Sequence, residues 1–260
     1  MNRTLHPLAL IRGAVLLLFS MLVSLGPLSN SALAQAPAIN LAWNDCVDAP
    51  TATLDKTFAC DANVGFDVMV VSFIAPSGID QFVALEFYGE NQSGAPGVIP
   101  AWWQLKGAGK CRNNALTASG DFTSYSACDA STWQGASTGG MGNIHDNDPV
   151  PGHQTWAGAL SILGAANTLA EGVHYYGALL RLSHAKTVGS GRCDGCVTQM
   201  CIRLDRIRIL RPSGTPGGDV EIRAVGTRAH VTWQSASDAT CVGATHARNN
   251  TWGAIKALYR

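Results

Sequence analysis

The stretch GFDVMVVSFIA, residues 65–75, decides the fold class. Val68, Val70 and Ile74 fall on one parity of an extended chain, and Met69, Val71 and Phe73 on the other. A strand that is apolar on both faces belongs inside a layered β structure, covered above and below. Outward from it, short apolar segments recur between clusters of Gly, Pro, Asn, Asp and Ser. They predict strands at 39–43, 82–88, 156–163, 173–185, 201–210, 220–224 and 229–233. Residues 98–105 contain Pro100 and are expected as an edge or bent strand. Segments 220–224 and 229–233 flank Val225-Gly226-Thr227-Arg228 and predict a closing hairpin.

Residues 201–210 hold an irregularity. Ile202 and Leu204 share one parity, Ile207 and Ile209 the other. One bulge near Asp205-Arg206 would return all four to a single face. About nine strands at this spacing, with few helical periods, predict an all-β, disulfide-stapled β-sandwich of jelly-roll or immunoglobulin-like type. Two segments compete as helices. Residues 157–170 are alanine-rich but carry Gly158 and Gly164. TWGAIKALYR, residues 251–260, places Trp252, Ile255 and Leu258 at helical spacing and predicts a short C-terminal helix. The glycine-rich stretch 135–151 is the longest irregular segment, and such loops on β scaffolds often carry binding residues.

The chain opens with Arg3 and Arg12, an apolar run over 13–28 and Ala32-Leu33-Ala34, the three-part pattern of a cleaved export signal. Cleavage after Ala34 is favoured, because the overlapping site would leave Pro37 first. An uncleaved membrane anchor is the rival reading, but the run is short and interrupted by Gly26 and Pro27. The expected organisation is a signal at 1–34, a β-sandwich domain at 35–240 and a C-terminal tail at 241–260 that docks or caps. All eight cysteines follow the signal, which predicts an oxidising compartment: secreted, extracellular or cell envelope. Eighteen basic residues balance eighteen acidic ones, so the basic excess of a nucleic-acid binder is missing. A 47% hydrophobic content excludes general disorder.

Spacing suggests local bridges between Cys46 and Cys60 and between Cys111 and Cys128. Of Cys193, Cys196 and Cys201, two are expected to pair locally while the third holds Cys241. Two alternatives use the same residues. Cys193, Cys196 and Cys201, with Cys241 or His184, have the residue types of a tetrahedral zinc site. Cys193-Asp-Gly-Cys196 has the spacing of a redox pair, but it lies between strands and not at a helix start. No cofactor is expected, with Ca²⁺ or Zn²⁺ as the minor alternatives.

Other candidate sites are weaker. Gly135-Ala-Ser137-Thr-Gly139 matches a nucleophile elbow by letter but lacks the strand before it and the helix after it. His145, Asp146, Asp148 and His153 lie close together in the long loop and are candidate ligand-binding or Ca²⁺ residues, though the pattern is not an EF-hand. Adjacent Trp102 and Trp103 would face opposite ways on a strand, so one could be free to stack on a sugar. Asn91-Gln-Ser and Asn249-Asn-Thr are glycosylation sequons by letter.

The segments Asn40-Leu-Ala-Trp43-Asn44-Asp-Cys46, Pro100-Ala-Trp102-Trp103, His184-Ala-Lys-Thr-Val-Gly189, Cys193-Asp-Gly-Cys196 to Cys201-Ile, and the terminal Thr251 to Arg260 together resemble a set of uncharacterised secreted bacterial proteins. The resemblance implies a secreted single domain with a tail that is a module of its own. It brings no activity, cofactor or catalytic residue. Three functions are therefore expected in order: a non-catalytic structural or binding protein with a protein or glycan partner and capable of self-association, a carbohydrate-binding module, and a secreted hydrolase built on His145, Asp148, His174 and His184.

Overall fold

The computed structural model describes residues 36–95, 97–133, 137–147, 150–224, 227–237 and 241. The export signal, Asp148, the Asn249 sequon and the expected C-terminal helix lie outside the described residues. In chain order the strands are β1 (Ala38–Trp43), β2 (Asp55–Lys56), β3 (Phe66–Ile74), β4 (Ile79–Phe82), β5 (Ala84–Ser93), β6 (Leu116–Ser119), β7 (Ala130–Ser131), β8 (Ser137–Asp146), β9 (His153–Ile162), β10 (Asn167–Leu169), β11 (His174–Ser183), β12 (Met200–Leu210), β13 (Val220–Arg223) and β14 (His230–Trp233).

A five-stranded sheet runs β1-β3-β11-β6, with β7 also paired to β11. A seven-stranded sheet runs β2-β14-β12-β5-β9-β8, with β13 paired to β12, and β4 and β10 form a small ribbon. The two large sheets pack face to face as a sandwich. Trp43 of β1 meets Trp233 of β14 with ring centroids 5.8 Å apart, and its Nε1 donates to the Thr232 carbonyl at 2.9 Å. At Gly177 in β11, an added Cβ would come within 3.0 Å of Leu85 in β5, so this glycine sets the close approach of the sheets.

β3 lies between β1 and β11, with every residue from Met69 to Ile74 buried. Phe73 lies beside Gly177 and Leu85 between the sheets. Ser72 is hydrogen-bonded to His174, and the Cys46–Cys128 disulfide covers that face. The strand is thus covered on both sides, as its composition requires. β12 shifts register between Leu204 and Arg206, and Ile202, Leu204, Ile207 and Ile209 are all buried. The bulge returns the four apolar side chains to the core.

Several expectations are corrected. Segments 220–224 and 229–233 form no hairpin with each other. β14 pairs with β12 over 200–203 and β13 pairs with it over 206–209, end to end along the edge that β5 does not use. An eleven-residue strand has room for both. Residues 98–105 are not a strand: Ala101–Trp103 is a 3₁₀ turn whose two indoles are both buried. The stretch 135–151, expected as irregular, contains the ten-residue strand β8, and the alanine-rich segment from 157 belongs to β9.

The cysteines pair across the fold. The bridges are Cys46–Cys128, Cys60–Cys196, Cys111–Cys193 and Cys201–Cys241. The local pairs Cys46–Cys60 and Cys111–Cys128 do not form, nor does a pair within 193–201. Cys201 holding Cys241 agrees with the expectation. The segment 193–201 is a hub, tied to three distant points in sequence. Proximity in space overrides proximity in sequence because each bridge needs its Cα atoms about 5–6 Å apart, and only the folded sheets provide that.

Beside this hub sits Arg112, 2% exposed, with no carboxylate against it among the described residues. Its Nε donates to the Ala185 carbonyl at 3.0 Å, Nη1 to the Trp102 carbonyl at 2.8 Å, and Nη2 to the Ser183 carbonyl. The guanidinium carbon lies 3.4 Å from the centre of the Trp102 ring. Burial pulls its pKa down to about 9, which leaves it charged at neutral pH. Carbonyl oxygens and an indole face therefore solvate a buried cation that joins the Trp102 turn to the end of β11.

Candidate functional site

The strongest sequence candidates, in 145–153, separate in space. Alternation along β8 puts His145 and Asp146 on opposite faces, with His145 exposed. The Asp146 carboxylate is paired with Lys110 at 2.6 Å and accepts from Gln154 Nε2 at 2.6 Å. Gln154 is fully buried and also donates to the Trp103 carbonyl at 2.8 Å. Asn91 Nδ2 donates to Gln154 Oε1 at 2.7 Å, and Trp156 Nε1 donates to Asn91 Oδ1 at 2.9 Å. The result is a continuous network, Trp156–Asn91–Gln154–Asp146, buried up to its half-exposed end at Lys110, that locks β5, β9 and β8 together. His153 is buried and bonded to Glu90 instead. Asn147, in left-handed conformation at φ 58°, caps the turn by accepting from the amides of Gly152 and Ile99. Asp146, Asn147 and His153 are each engaged in structural bonds, with Asp146 on the face opposite His145 and His153. The Asn91 sequon is 1% exposed and closed to glycosylation in the folded chain.

Among the described residues, the tryptophans offer no platform for stacking. Trp43, Trp102, Trp103, Trp133, Trp156 and Trp233 are all buried, and Trp252 lies outside the described residues. Trp102 and Trp103 pack edge to face, and Trp102 stacks on Trp233 with centroids 5.4 Å apart. The pair is part of an inter-sheet indole cluster.

Two histidine clusters remain. His174 opens β11: its Nε2 lies 2.9 Å from Ser72 Oγ and 3.3 Å from Asn40 Nδ2, and its Nδ1 lies 3.7 Å from Asp48 Oδ2. Ser, His and Asp are all present, but Ser72 has no solvent exposure and 3.7 Å exceeds a hydrogen bond. Burial lowers the His174 pKa, and the nearby Asp48 and Asp129 carboxylates oppose that shift. A nucleophile that no substrate can reach performs no chemistry, so the cluster is an internal polar brace. Cys46, Cys128 and His174 lie within 4.8 Å of one another, but the two sulfurs are joined to each other and supply no thiolate. The same holds for the zinc alternative at Cys193, Cys196, Cys201 and Cys241. It holds too for the redox alternative, since Cys193 and Cys196 bond to different partners. His184 follows the far end of β11, ten residues and roughly 30 Å from His174, so the expected hydrolase set does not assemble. Its Nε2 meets Asp67 at 2.8 Å and its ring stacks on Phe58 at 4.0 Å.

What the fold does present is an edge. β8 ends the seven-stranded sheet and, among the described residues, pairs with β9 alone. It is ten residues long, and only Ile144 of it is buried. Ser137 and Gly139, the elbow letters, lie in this strand and not at a strand-to-helix turn. An added Cβ at Gly140 would touch nothing within 4 Å. Sequence reasoning missed this surface because glycine, serine and threonine carry no hydrophobic period. No helix among the described residues is long and apolar enough to cross a membrane.

No family model matches the chain, and no curated protein matches it. Among solved structures it is similar to the cohesin module from Clostridium perfringens ATCC13124 family 33 glycoside hydrolase, at 8% identity, covering 76% of this chain and 98% of that one, with a TM-score of 0.34. A likeness at that score carries no argument about function.

Proposed function

We propose that this chain is a non-catalytic structural or binding protein of an oxidising compartment outside the cytoplasm, and that it works by pairing its β8 edge with a partner strand. The unpaired outer side of β8 carries the reading, with one of its carbonyls, that of Met141, held by the Lys106 amine. A ten-residue edge with no hydrogen-bonded strand on its outer side among the described residues, β6 packing near its start, is a template for strand addition, with affinity from main-chain hydrogen bonds. Four disulfides among eight cysteines suit the compartment. The buried, internally bonded state of the histidine and carboxylate clusters supports a role without catalysis.

A second copy of the chain is the first partner to test, since the residues after Ala34, 16 basic against 18 acidic, carry little net charge to hold copies apart. Sedimentation across a concentration series should show self-association that Gly140→Lys and Thr138→Lys abolish while thermal stability is kept. Association unchanged in both variants would refute the edge as the contact. Turnover of an ester, peptide or glycoside substrate by the purified protein would refute the non-catalytic reading.

A further inference from the structure

We propose that Lys56 and Asn44 join in an intramolecular isopeptide bond, with Asp67 carrying the protons, and that this bond links the two sheets covalently. Lys56 Nζ lies 3.3 Å from Asn44 Oδ1 and 2.9 Å from Asp67 Oδ1. Asn44 directly follows β1, and Asp67 is the second residue of β3; both strands belong to the five-stranded sheet. Lys56 ends β2, which pairs with β14 in the seven-stranded sheet. The three side chains therefore meet across the sandwich.

The amide is held for attack. Asn44 takes the left-handed conformation at φ 71°, and its backbone N–H donates to the Val68 carbonyl at 2.8 Å. Its Nδ2 donates to the Thr51 carbonyl at 3.2 Å, which fixes the amide plane with Oδ1 toward the amine. The Lys56 side chain is 26% exposed and that of Asp67 9%. The second Asp67 oxygen accepts from His184 Nε2 at 2.8 Å, under the stacked Phe58 ring. An ion pair alone would account for Lys56 and Asp67. The carboxamide oxygen is a further acceptor of the same amine, so amine, carboxylate and amide meet at one point.

The step balances without a cofactor or an oxidant. Asp67 takes a proton from the Lys56 ammonium, and the free amine attacks Cγ of Asn44, forming the new C–N bond as the carbonyl pair moves onto Oδ1. Asp67 delivers its proton to Nδ2. The Cγ–Nδ2 bond then breaks, the carbonyl re-forms, ammonia leaves, and the second Nζ proton passes to Asp67 and on to ammonia. Net, an ammonium and a carboxamide become a secondary amide and an ammonium ion, and Asp67 ends as it began. Two groups held in contact react with an effective concentration no free amine can match, and the carboxylate supplies general acid–base help at one atom.

Intact mass of the oxidised protein should fall short of its four-disulfide value by about 17 Da, one ammonia. An N-terminal glutamine loses the same mass on cyclising, so digestion must locate the loss. Trypsin should fail to cut after Lys56. Cleavage at Asp45, Asp48 and Asp55 should leave the segments holding Asn44 and Lys56 still joined. K56R keeps the cation beside Asp67 but cannot form this bond; together with N44A it should leave those segments separate, with all four disulfides intact. Free cutting after Lys56 in the folded, fully oxidised protein would overturn the proposal. A bond formed in D67N would overturn the part given to Asp67.

Discussion

At its β14 side the seven-stranded sheet carries HVTW, every residue buried; at its β8 side it ends in STGGMGNIHD, with Ile144 alone buried. The first side is enclosed. Trp233 stacks on Trp102, approaches Trp43 and Trp103, and donates to the Cys196 carbonyl at 2.8 Å, beside the cysteine hub. The second side has one hydrogen-bonded neighbour, β9, and over Ser137–Gly140 only small side chains. The contrast shows a division of labour: rings, bridges and a buried cation make one region rigid, and the opposite edge is left available. Lys106, whose amine reaches the Met141 carbonyl, is a cation set against that edge, a common guard against uncontrolled pairing.

Substitutions can break or sharpen this contrast. Arg112→Ala should be the most damaging, costing about 3–5 kcal/mol in chemical unfolding, because it strips the buried Trp102 carbonyl and the more exposed Ser183 and Ala185 carbonyls of their shared donor and removes the guanidinium packed on the Trp102 ring. Arg112→Lys should not restore that loss, since an ammonium cannot span the same three acceptors. Replacing Cys60 and Cys196 together by Ser should cost about 2–5 kcal/mol in the same measurement. Gly89→Ala should cost about 1–3 kcal/mol, because the new Cβ would lie 2.1 Å from the Trp156 ring and 2.3 Å from the Arg203 carbonyl. Gly140→Ala in β8 should stay within about 0.5 kcal/mol. A large cost there would mean that the edge is not open.

Acidification tests the brace at His174. Its folded pKa is depressed, so the unfolded chain takes up a proton first as pH falls. Stability should therefore hold above the ordinary histidine value of about 6.5 and decline as pH drops from there toward the lower folded value. Melting curves from about pH 7.5 downward should show a shallower decline in His174→Gln than in the native chain. An unchanged slope would place the pH sensitivity elsewhere.

How far the fold was legible depended on where its energy lies. β3 was legible because burial on both faces demands apolar residues on both parities. The β12 bulge was legible because Ile202 and Leu204 change parity with Ile207 and Ile209, and only a register shift buries all four. β8 was not, because its strand state comes from the backbone of β9 and not from its own side chains. Trp102 and Trp103 were misplaced for a related reason: a 3₁₀ turn can bury both of two adjacent rings, whereas a strand separates them. The role of Arg112 had no sequence signal, since its partners are carbonyls that become neighbours only after folding. The candidate loop 145–153 was legible in residue type but not in purpose, because Asp146 and His153 are consumed by partners far away in the chain.

The pattern of bridges also bears on how the molecule can be made. Cys46 pairs beyond Cys60 and Cys111, while both of those wait for partners at Cys196 and Cys193. A chain oxidised in order of synthesis meets Cys46 with Cys60 first and Cys111 with Cys128 next, and both pairs are wrong. Reaching the native set then requires thiol attack on bonds already formed, a reshuffling that takes seconds to hours depending on the catalyst. A host with an oxidase but no isomerase should accumulate mis-bridged protein, and co-expressed isomerase should raise the yield of the native form more than any change to the sheets themselves.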